Sequence, residues 1–210
     1  MLPRAFYLQD ALTLARALIG KRLVHIGEDG ERTSGIITET EAYLGEQDDA
    51  SHTYKGRSER TRIAWEDTGR AYVYLIYGMH CCFNITCDRD GVPHMVLIRA
   101  LQPETGLEAM KARRAADNVH NLCSGPGKLC KAMGIDRSLY GERLWQSSRL
   151  FVEDTLHTPP VLATPRIGID YAERSKHEPW RFVWAGSEYL SRPWKKELQL
   201  LQQTEQEKRK

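Results

Sequence analysis

The sequence predicts an α+β fold: a single compact domain with a central, mostly antiparallel curved sheet, flanking helices and a projecting β-hairpin. Several segments alternate apolar and polar residues as strands do, whereas others carry the apolar stripe or the capping signals of helices. Two of the strand segments are joined directly at Gly78-Met79, which indicates a hairpin. The 210 residues show neither an internal repeat nor a clear linker, and this length suits one domain.

The first third of the chain predicts a helix, two strands and a long loop. Asp10 can cap the helix, and Gly20 ends its apolar stripe. A loop as long as the one predicted here is more often functional than idle. The elements after the helix are a strand over 22–26, a turn over 27–30, a strand from about 32 to 44, and a polar, irregular loop over 45–69 with one helical turn near 63–65.

The hairpin opens the second part of the chain. A glycine in the first central position suits a two-residue type II′ turn at Gly78-Met79. Thr105 and Glu108 match a capping box at the start of a basic helix that runs to about residue 115. The other predicted elements are strands over 71–77, 81–87 and 94–101, a helix opened by the Ser124-Gly-Pro-Gly segment and ending at 133, strands over 166–170 and 180–186, and a charged tail over 195–210 after a domain that ends at 194.

The composition is ordinary for a soluble globular protein, with 41% hydrophobic and 28% charged residues. No apolar run approaches the roughly 18–20 residues that span a bilayer, and no secretory signal is visible. We therefore expect no membrane partner. The five cysteines lack disulfide or zinc spacing, and the seven histidines form no metal motif, so we expect no metal.

The net charge of +2 does not indicate a nucleic-acid-binding protein by itself, but its distribution is informative. Residues 39–49 contain five acidic residues and no basic one, whereas 55–62 and 111–137 are rich in lysine and arginine. An acidic pocket between basic stretches suits a polyanionic ligand that reaches a carboxylate site. Ordinary surface patterning remains the alternative.

Three polar side chains share one face of the strand predicted from 32 to 44. Side chains at i, i+2 and i+4 point the same way in a strand, so Glu39, Glu41 and Tyr43 lie together. Two carboxylates and a tyrosine make a poor hydrophobic core and a plausible wall for a polar pocket. The alternative is a solvated edge strand.

The hairpin carries three tyrosines. Tyr72 and Tyr74 share a face, where they can line a pocket or simply pack in the core. Tyr77 precedes the turn and is expected at the tip, where a large exposed aromatic ring is unfavourable without a function. Such a side chain can wedge between stacked bases.

Taken together, these segments resemble the alkyladenine (3-methyladenine) DNA glycosylases, which excise alkylated purines. The resemblance spans about residues 6–186, in order and with similar spacing. Each motif alone is weak, but the set is specific. The motifs that carry the resemblance are ETEAYLG at 39–45, His52, YVYLIYGM at 72–79, Asn84, LIRAL at 97–101 and NLCSGPGKLC at 121–130.

The resemblance implies a role for each matching residue. Glu41 matches the catalytic carboxylate that activates water, and Arg99 matches the arginine that supports that water. The residues implied to contact the flipped base are Tyr43, His52 and Tyr74, which stack on it, Asn84, which rejects the exocyclic amine of guanine, and Ile169, which lends its backbone to the water site. Tyr77 matches the wedge that fills the gap in the duplex. Met79, His80 and Lys128 are candidates for contacts with the DNA backbone.

The implied activity is a monofunctional DNA-3-methyladenine glycosylase that flips damaged purines out of duplex DNA and leaves an abasic site. The expected partner is duplex DNA containing 3-methyladenine, 7-methylguanine, hypoxanthine or ethenoadenine. The enzyme should be a monomer, need no cofactor, and lie in the cytoplasm with the nucleoid in a bacterium or in the nucleus of a eukaryote. The alternatives are a nucleic-acid-binding module without catalysis and a hydrolase of small nucleosides.

The predicted hairpin conflicts with the role implied for Asn84. In an unbroken hairpin with a two-residue turn, residue 73 pairs with 84, so Asn84 shares a face with Val73 instead of Tyr74. A bulge or a strong twist between Tyr74 and Asn84 would reconcile them, because one extra residue switches the face. We therefore expect a bulge at Cys81-Cys82.

Overall fold

A computed structural model describes residues 1–193 and residue 195, and the predicted tail otherwise lies outside the described residues. Its helices and strands follow the predicted order for most of the chain. In chain order they are α1 (Arg4–Tyr7), α2 (Ala11–Leu18), β1 (Arg22–Ile26), β2 (Arg32–Tyr43), β3 (Ala71–Ile76), β4 (His80–Cys87), β5 (His94–Thr105), α3 (Leu107–Arg114), α4 (Pro126–Met133), β6 (Leu150–Glu153), β7 (Val161–Thr164) and β8 (Arg181–Trp184). Among them no helix has the length and apolar character that crossing a membrane requires.

The strands form one curled antiparallel sheet, in the order β3-β4-β5-β2-β1-β6. β2 is its central strand: β5 pairs with one edge, while β1 and then β8 pair with the other. The pairing of β2 with β5 is interrupted three times, because Thr38 on β2 and both Arg99 and Glu104 on β5 lack a residue opposite them. Such bulges bend a strand and redirect a side chain. The predicted α+β fold with a curved antiparallel sheet is confirmed.

The first predicted helix is confirmed as α2. The Asp10 side chain accepts hydrogen bonds from the backbone amides of Leu12 and Thr13, which would otherwise lack partners. The stripe of the helix is buried, with Leu14 and Leu18 in the main core. This core packs the helices against the sheet face opposite the polar side chains described below.

The predicted capping box at Thr105 is wrong. Thr105 is the last residue of β5 and pairs with Ser34, so its side chain cannot cap α3. Gly106 stands at the helix start in a left-handed conformation, with φ of 78°. A Cβ there would lie 2.7 Å from the carbonyl oxygen of Arg32, so a glycine is required. The strand–helix junction is therefore set by packing against β2.

The two-residue turn predicted at Gly78-Met79 is also wrong. The turn contains three residues, since Ile76 pairs with His80. Tyr77 and Gly78 both have positive φ, 52° and 69°. A positive φ is unusual for a residue with a bulky side chain, so the backbone of Tyr77 is strained.

The longer turn removes the conflict over Asn84. It shifts the register by one residue, so that Asn84 pairs with Tyr72 and shares the face of Tyr72 and Tyr74. The pairing of β3 with β4 runs without a shift, so the bulge expected at Cys81-Cys82 is wrong. The extra residue lies in the turn.

The C-terminal part differs most from the prediction. Residues 166–170 form a loop instead of a strand. The Arg166 side chain and the Ile167 amide in this loop bind the buried carboxylates of Asp48 and Glu41, and the segment joins no strand ladder. The strand predicted over 180–186 is present as the shorter β8. The short elements α1, β6 and β7 were not predicted.

Candidate active site

One face of the sheet carries the polar residues singled out in the sequence. Glu39, Glu41 and Tyr43 alternate along β2, and all three point to this face. The registers place Glu41 beside Leu97 on β5, and Leu97 beside Asn84 on β4. Asn84 in turn pairs with Tyr72. The predicted carboxylates and the predicted aromatic residues therefore share one surface of four adjacent strands.

Glu41 is fully buried and accepts hydrogen bonds at both oxygens. Its Oε2 accepts from the Tyr43 hydroxyl at 2.8 Å and from Nη1 of Arg99 at 3.2 Å. Its Oε1 accepts from the backbone amide of Ile167 at 2.7 Å. These contacts fix the orientation of the carboxylate and tie β2 to the loop after β7.

Glu39 lies next to Glu41 on this face and is enclosed by more donors. It accepts from Nε of Arg99 at 2.9 Å, from Nε of Arg181 at 3.2 Å, and from the amide and hydroxyl of Ser191, both at 2.7 Å. Burial alone would raise the pKa of Glu39, but the two arginines and Ser191 lower it below its usual value. Glu39 is therefore a buried anion held in an ion-pair network.

Arg99 joins the two carboxylates. Its position at the bulge in β5 directs its guanidinium between Glu39 and Glu41. Burial would lower the pKa of Arg99, but the two carboxylates raise it above its usual value. With Arg181 on the far side of Glu39, the buried group contains two carboxylates and two guanidinium cations, which balances its charge.

The second part of the site is an aromatic cluster of His52, Tyr72 and Tyr74. The rings of His52 and Tyr74 are 4.6 Å apart between centroids, and Nδ1 of His52 lies 3.2 Å from the Tyr72 hydroxyl. Arg60 places its guanidinium over the Tyr74 ring, 4.8 Å from the centroid. Although His52 is exposed in the free protein, desolvation of its ring and the nearby Arg60 cation lower its pKa to about 4. His52 is thus neutral at physiological pH.

Cys82 links the aromatic cluster to the carboxylates. Its thiol contacts the Tyr74 hydroxyl and lies within the electrostatic influence of Arg99 and Glu41. Asn84 is buried beside this cluster, and its side-chain amide donates to the carbonyl of Tyr72 at 3.2 Å. The predicted residues Tyr74 and Asn84 therefore do line the same face.

The hairpin tip projects from one end of this face. Tyr77 is 85% exposed and Met79 is 75% exposed, which leaves two large apolar side chains in solvent. His80 lies against the start of α4, where a Cβ at residue 127 would come within 3.2 Å of the His80 Cβ. Lys128 on α4 contacts Asn121 and Ser124. The structure thus places the predicted DNA-contacting residues at one end of the molecule.

The loop after β7 also contains Ile169, whose backbone is predicted to contribute to the water site. The backbone amide that binds Glu41 directly is that of Ile167. Ile169 is buried against Ala50 and packs near Tyr43. The contact predicted between the Ile169 backbone and the water therefore stays a prediction.

Sequence reasoning missed a second buried ion pair, formed by Arg166 and Asp48. Arg166 donates to both oxygens of Asp48, at 2.5 and 2.8 Å, and to the carbonyl of Ala42. Ser175 donates to Asp48 as well, so this pair connects the loop of His52 with the loop after β7. The signal available in the sequence was Asp48 within the acidic run 39–49, which predicts an acidic pocket but does not identify Arg166 as a partner.

The described residues contain no cluster of three histidine, cysteine or acidic side chains arranged to hold a metal ion. What the site offers is a buried carboxylate with fixed donors, a neutral histidine and several aromatic rings. This combination can orient a water molecule and stack a planar group.

Comparison with known proteins gives a consistent match. The family model described as methylpurine-DNA glycosylase matches residues 5–188. A Desulfitobacterium hafniense protein is 43% identical over 199 residues, which cover 90% of this chain and 98% of that one. A Methanocella arvoryzae protein is 46% identical, covering 91% and 96%, and a Bacillus cereus protein is 45% identical, covering 90% and 98%. All three are named as candidate 3-methyladenine DNA glycosylases.

Proposed function

The chain belongs to the methylpurine-DNA glycosylase family, and on that premise we propose that it flips a damaged purine out of duplex DNA and hydrolyses the N-glycosidic bond with water activated by Glu41. Family membership makes it a monofunctional DNA glycosylase of base-excision repair, with DNA as its substrate. The proposed lesions are 3-methyladenine, 7-methylguanine, hypoxanthine and ethenoadenine. We further propose that it acts as a monomer without a metal or cofactor.

The observation that carries this proposal is the shared face of the carboxylate site and the aromatic cluster. A base inside a duplex cannot be attacked, so it must leave the stack at a cost of a few kcal/mol. Stacking the base on aromatic side chains returns about 1–3 kcal/mol. His52, Tyr74 and Tyr43 would supply these surfaces, and the neutral state of His52 avoids repelling a cationic base.

Glu41 is suited to act on the sugar once the base is held. Tyr43 and Arg99 orient its Oε2, and the Ile167 amide orients its Oε1. The carboxylate would accept a proton from water and stabilise positive charge that develops on the sugar as the bond to the base breaks. General-base catalysis of this kind contributes about 10²–10⁴-fold. A water nucleophile leaves an abasic site and an intact strand.

The hairpin tip would occupy the gap left by the flipped base. Tyr77 already projects into solvent, so the free protein needs little rearrangement to insert it. Apolar side chains that wedge between base pairs act in this way. Met79 and His80 lie beside it, and Lys128 follows Gly127, the residue of α4 that packs against His80. Each of the three side chains can approach the phosphate backbone.

The central test is incubation with duplex oligonucleotides that contain a single hypoxanthine or ethenoadenine, followed by treatment with alkali. We expect strand cleavage at the lesion only after alkali, and equally in EDTA. Cleavage without alkali would instead reveal lyase activity. Binding without any excision would favour a binding module, and excision from free nucleosides alone would favour a nucleoside hydrolase.

The wedge is tested with Tyr77→Ala. Ethenoadenine fluoresces more when it is unstacked, so the rise in fluorescence on binding should be smaller in this variant than in wild type. The melting temperature should hardly change, because Tyr77 buries little surface in the free protein. A large drop in melting temperature with normal flipping would assign Tyr77 to the core.

Asn84 is proposed to reject normal guanine by steric conflict with its exocyclic amine. Hypoxanthine lacks that amine, so it is the matched substrate. Asn84→Ala and Asn84→Ser should raise excision of undamaged guanine relative to hypoxanthine. An unchanged ratio in both folded variants would show that another residue excludes guanine.

A further inference from the structure

Arg166 forms the middle layer of a three-part stack behind the proposed base-binding surface. Its guanidinium carbon lies 4.6 Å from the centroid of the Tyr43 ring and 4.9 Å from that of Trp180. The Arg166 side chain has no exposed surface. Tyr43 itself is only half-buried, and in the proposed function the flipped base stacks on the ring face away from Arg166.

The contacts of Arg166 hold it in this position. Asp48 accepts two of its hydrogen bonds, and the carbonyl of Ala42, the residue before Tyr43, accepts another. Within the described part of the chain its Nε has no hydrogen-bond partner. A buried donor without a partner is unfavourable, so the hydrogen bonds to Asp48 and Ala42 and the contacts with the two rings together hold the guanidinium in place. Asp48 lies at the edge of the stack, whereas the cation lies directly on the Tyr43 ring.

A cation on one face of an aromatic ring changes what the other face attracts. The ring face is negative and attracts cations. The Arg166 cation already occupies one face of the Tyr43 ring. Its charge also repels a second cation on the other face, because the protein interior screens charges poorly. A cationic purine stacked on the opposite face of Tyr43 should therefore gain less stacking energy than it would on a tyrosine without this neighbour. A neutral purine gains its stacking energy in either case.

We propose that Arg166 is a specificity-determining residue that shifts the enzyme's preference from cationic alkylpurines toward neutral damaged purines. The inference rests on the proposed function, in which Tyr43 stacks on the flipped base. Arg166 touches neither the base nor the reacting atoms, and it acts through the Tyr43 ring.

The test compares single-turnover excision of 7-methylguanine, which is cationic, with that of hypoxanthine, which is neutral, in duplexes of matched sequence. Arg166→Gln should raise the ratio of the cationic to the neutral rate by about threefold to thirtyfold. Asp48→Asn removes the counter-ion and leaves the cation, so it should lower the ratio. Arg174→Gln is the control, since Arg174 belongs to the same loop but lies over Tyr54, 5.4 Å from its centroid. Its ratio should equal that of wild type.

A buried arginine or aspartate left alone destabilises a protein, so the double variant Asp48→Asn/Arg166→Gln provides a charge-balanced alternative. It removes the cation nearest Tyr43 and should still raise the ratio. An unchanged ratio in the folded Arg166→Gln and double variants, or an equal loss of both rates, would overturn the proposal. If wild type excises neither base, the proposed function fails instead, so the two failures are distinguishable.

Discussion

Glu39 and Glu41 lie two residues apart on one face of β2, are both fully buried, and differ in how completely their oxygens are occupied. A carboxylate offers about four acceptor positions. Glu39 accepts from two arginines and from two groups of Ser191. Among the described residues Glu41 accepts three such bonds, one of them at Oε1, and one of its three donors is a tyrosine hydroxyl.

This comparison shows how one residue type can serve two purposes on one strand. Glu39 has every position filled and is paired with two cations, so it can do little except stabilise the fold. Glu41 is held in a fixed orientation with capacity for one more donor at Oε1, which is what activating a water requires. Removing each carboxylate should therefore affect a different property.

The largest expected effect is the loss of excision in Glu41→Gln. Because glutamine cannot accept the proton from water, single-turnover excision of hypoxanthine should fall by about 10²–10⁴-fold. Binding of lesion DNA should be retained, since the proposed contacts with DNA lie elsewhere. Excision within tenfold of wild type would contradict the role of Glu41 and make Glu39 the next candidate.

The matched change, Glu39→Gln, should reduce stability instead. It leaves Arg99 and Arg181 buried without one of their carboxylates, and breaking a buried pair in this way costs about 3–5 kcal/mol. Urea unfolding monitored by tryptophan fluorescence measures the free energy of unfolding. If Glu39→Gln were as stable as wild type but inactive, Glu39 would have a catalytic role instead of a structural one.

The difference should also appear in the acid range. The pKa of Glu39 in the folded protein lies below its ordinary value of 4.5. Its stabilising contribution is therefore complete above about pH 4.5 and is lost as the pH falls through the lower, folded value. Unfolding free energies measured from pH 7 downward should fall more steeply in wild type than in Glu39→Gln. Parallel curves would show that Glu39 does not titrate with folding.

The smallest effects are expected when a single hydrogen-bond donor is removed from each carboxylate. Tyr43→Phe removes a hydrogen bond to a charged group at Glu41, worth about 1.5–3 kcal/mol, and should slow excision by about tenfold to a hundredfold. Ser191→Ala removes the hydroxyl donor of Glu39 and should lower the unfolding free energy by a similar or smaller amount without changing excision. Excision rates and urea unfolding curves for both variants test whether one variant loses activity and the other loses only stability. If Ser191→Ala slowed excision as much as Tyr43→Phe, the contacts of Glu39 would also affect catalysis and the two carboxylates would not have separate roles.

Much of the fold followed from local patterns in the sequence. The cap at Asp10, the strand period of β1 and β2, and the adjacent strands of the hairpin depend on neighbours within a few residues, so each could be recognised along the chain. The alternation along β2 likewise placed Glu39, Glu41 and Tyr43 on one face. Their roles came from the resemblance to a family, whose membership is confirmed, while the individual catalytic assignments remain predictions.

The tertiary structure decided what depends on distant partners. The turn around Tyr77 holds three residues instead of two, and this single residue determines which face Asn84 shares. Arg166 comes from a segment predicted as a strand, yet it reaches Asp48 and the Tyr43 ring across more than a hundred residues of chain. The strand pattern presented Glu39 and Glu41 as equivalent side chains, and only the resemblance to a family assigned catalysis to Glu41. The folded chain shows the physical difference between them. Arg181 and Ser191 bind Glu39 while Ile167 binds Glu41, and these partners come from loops and strands that no local pattern connects to β2.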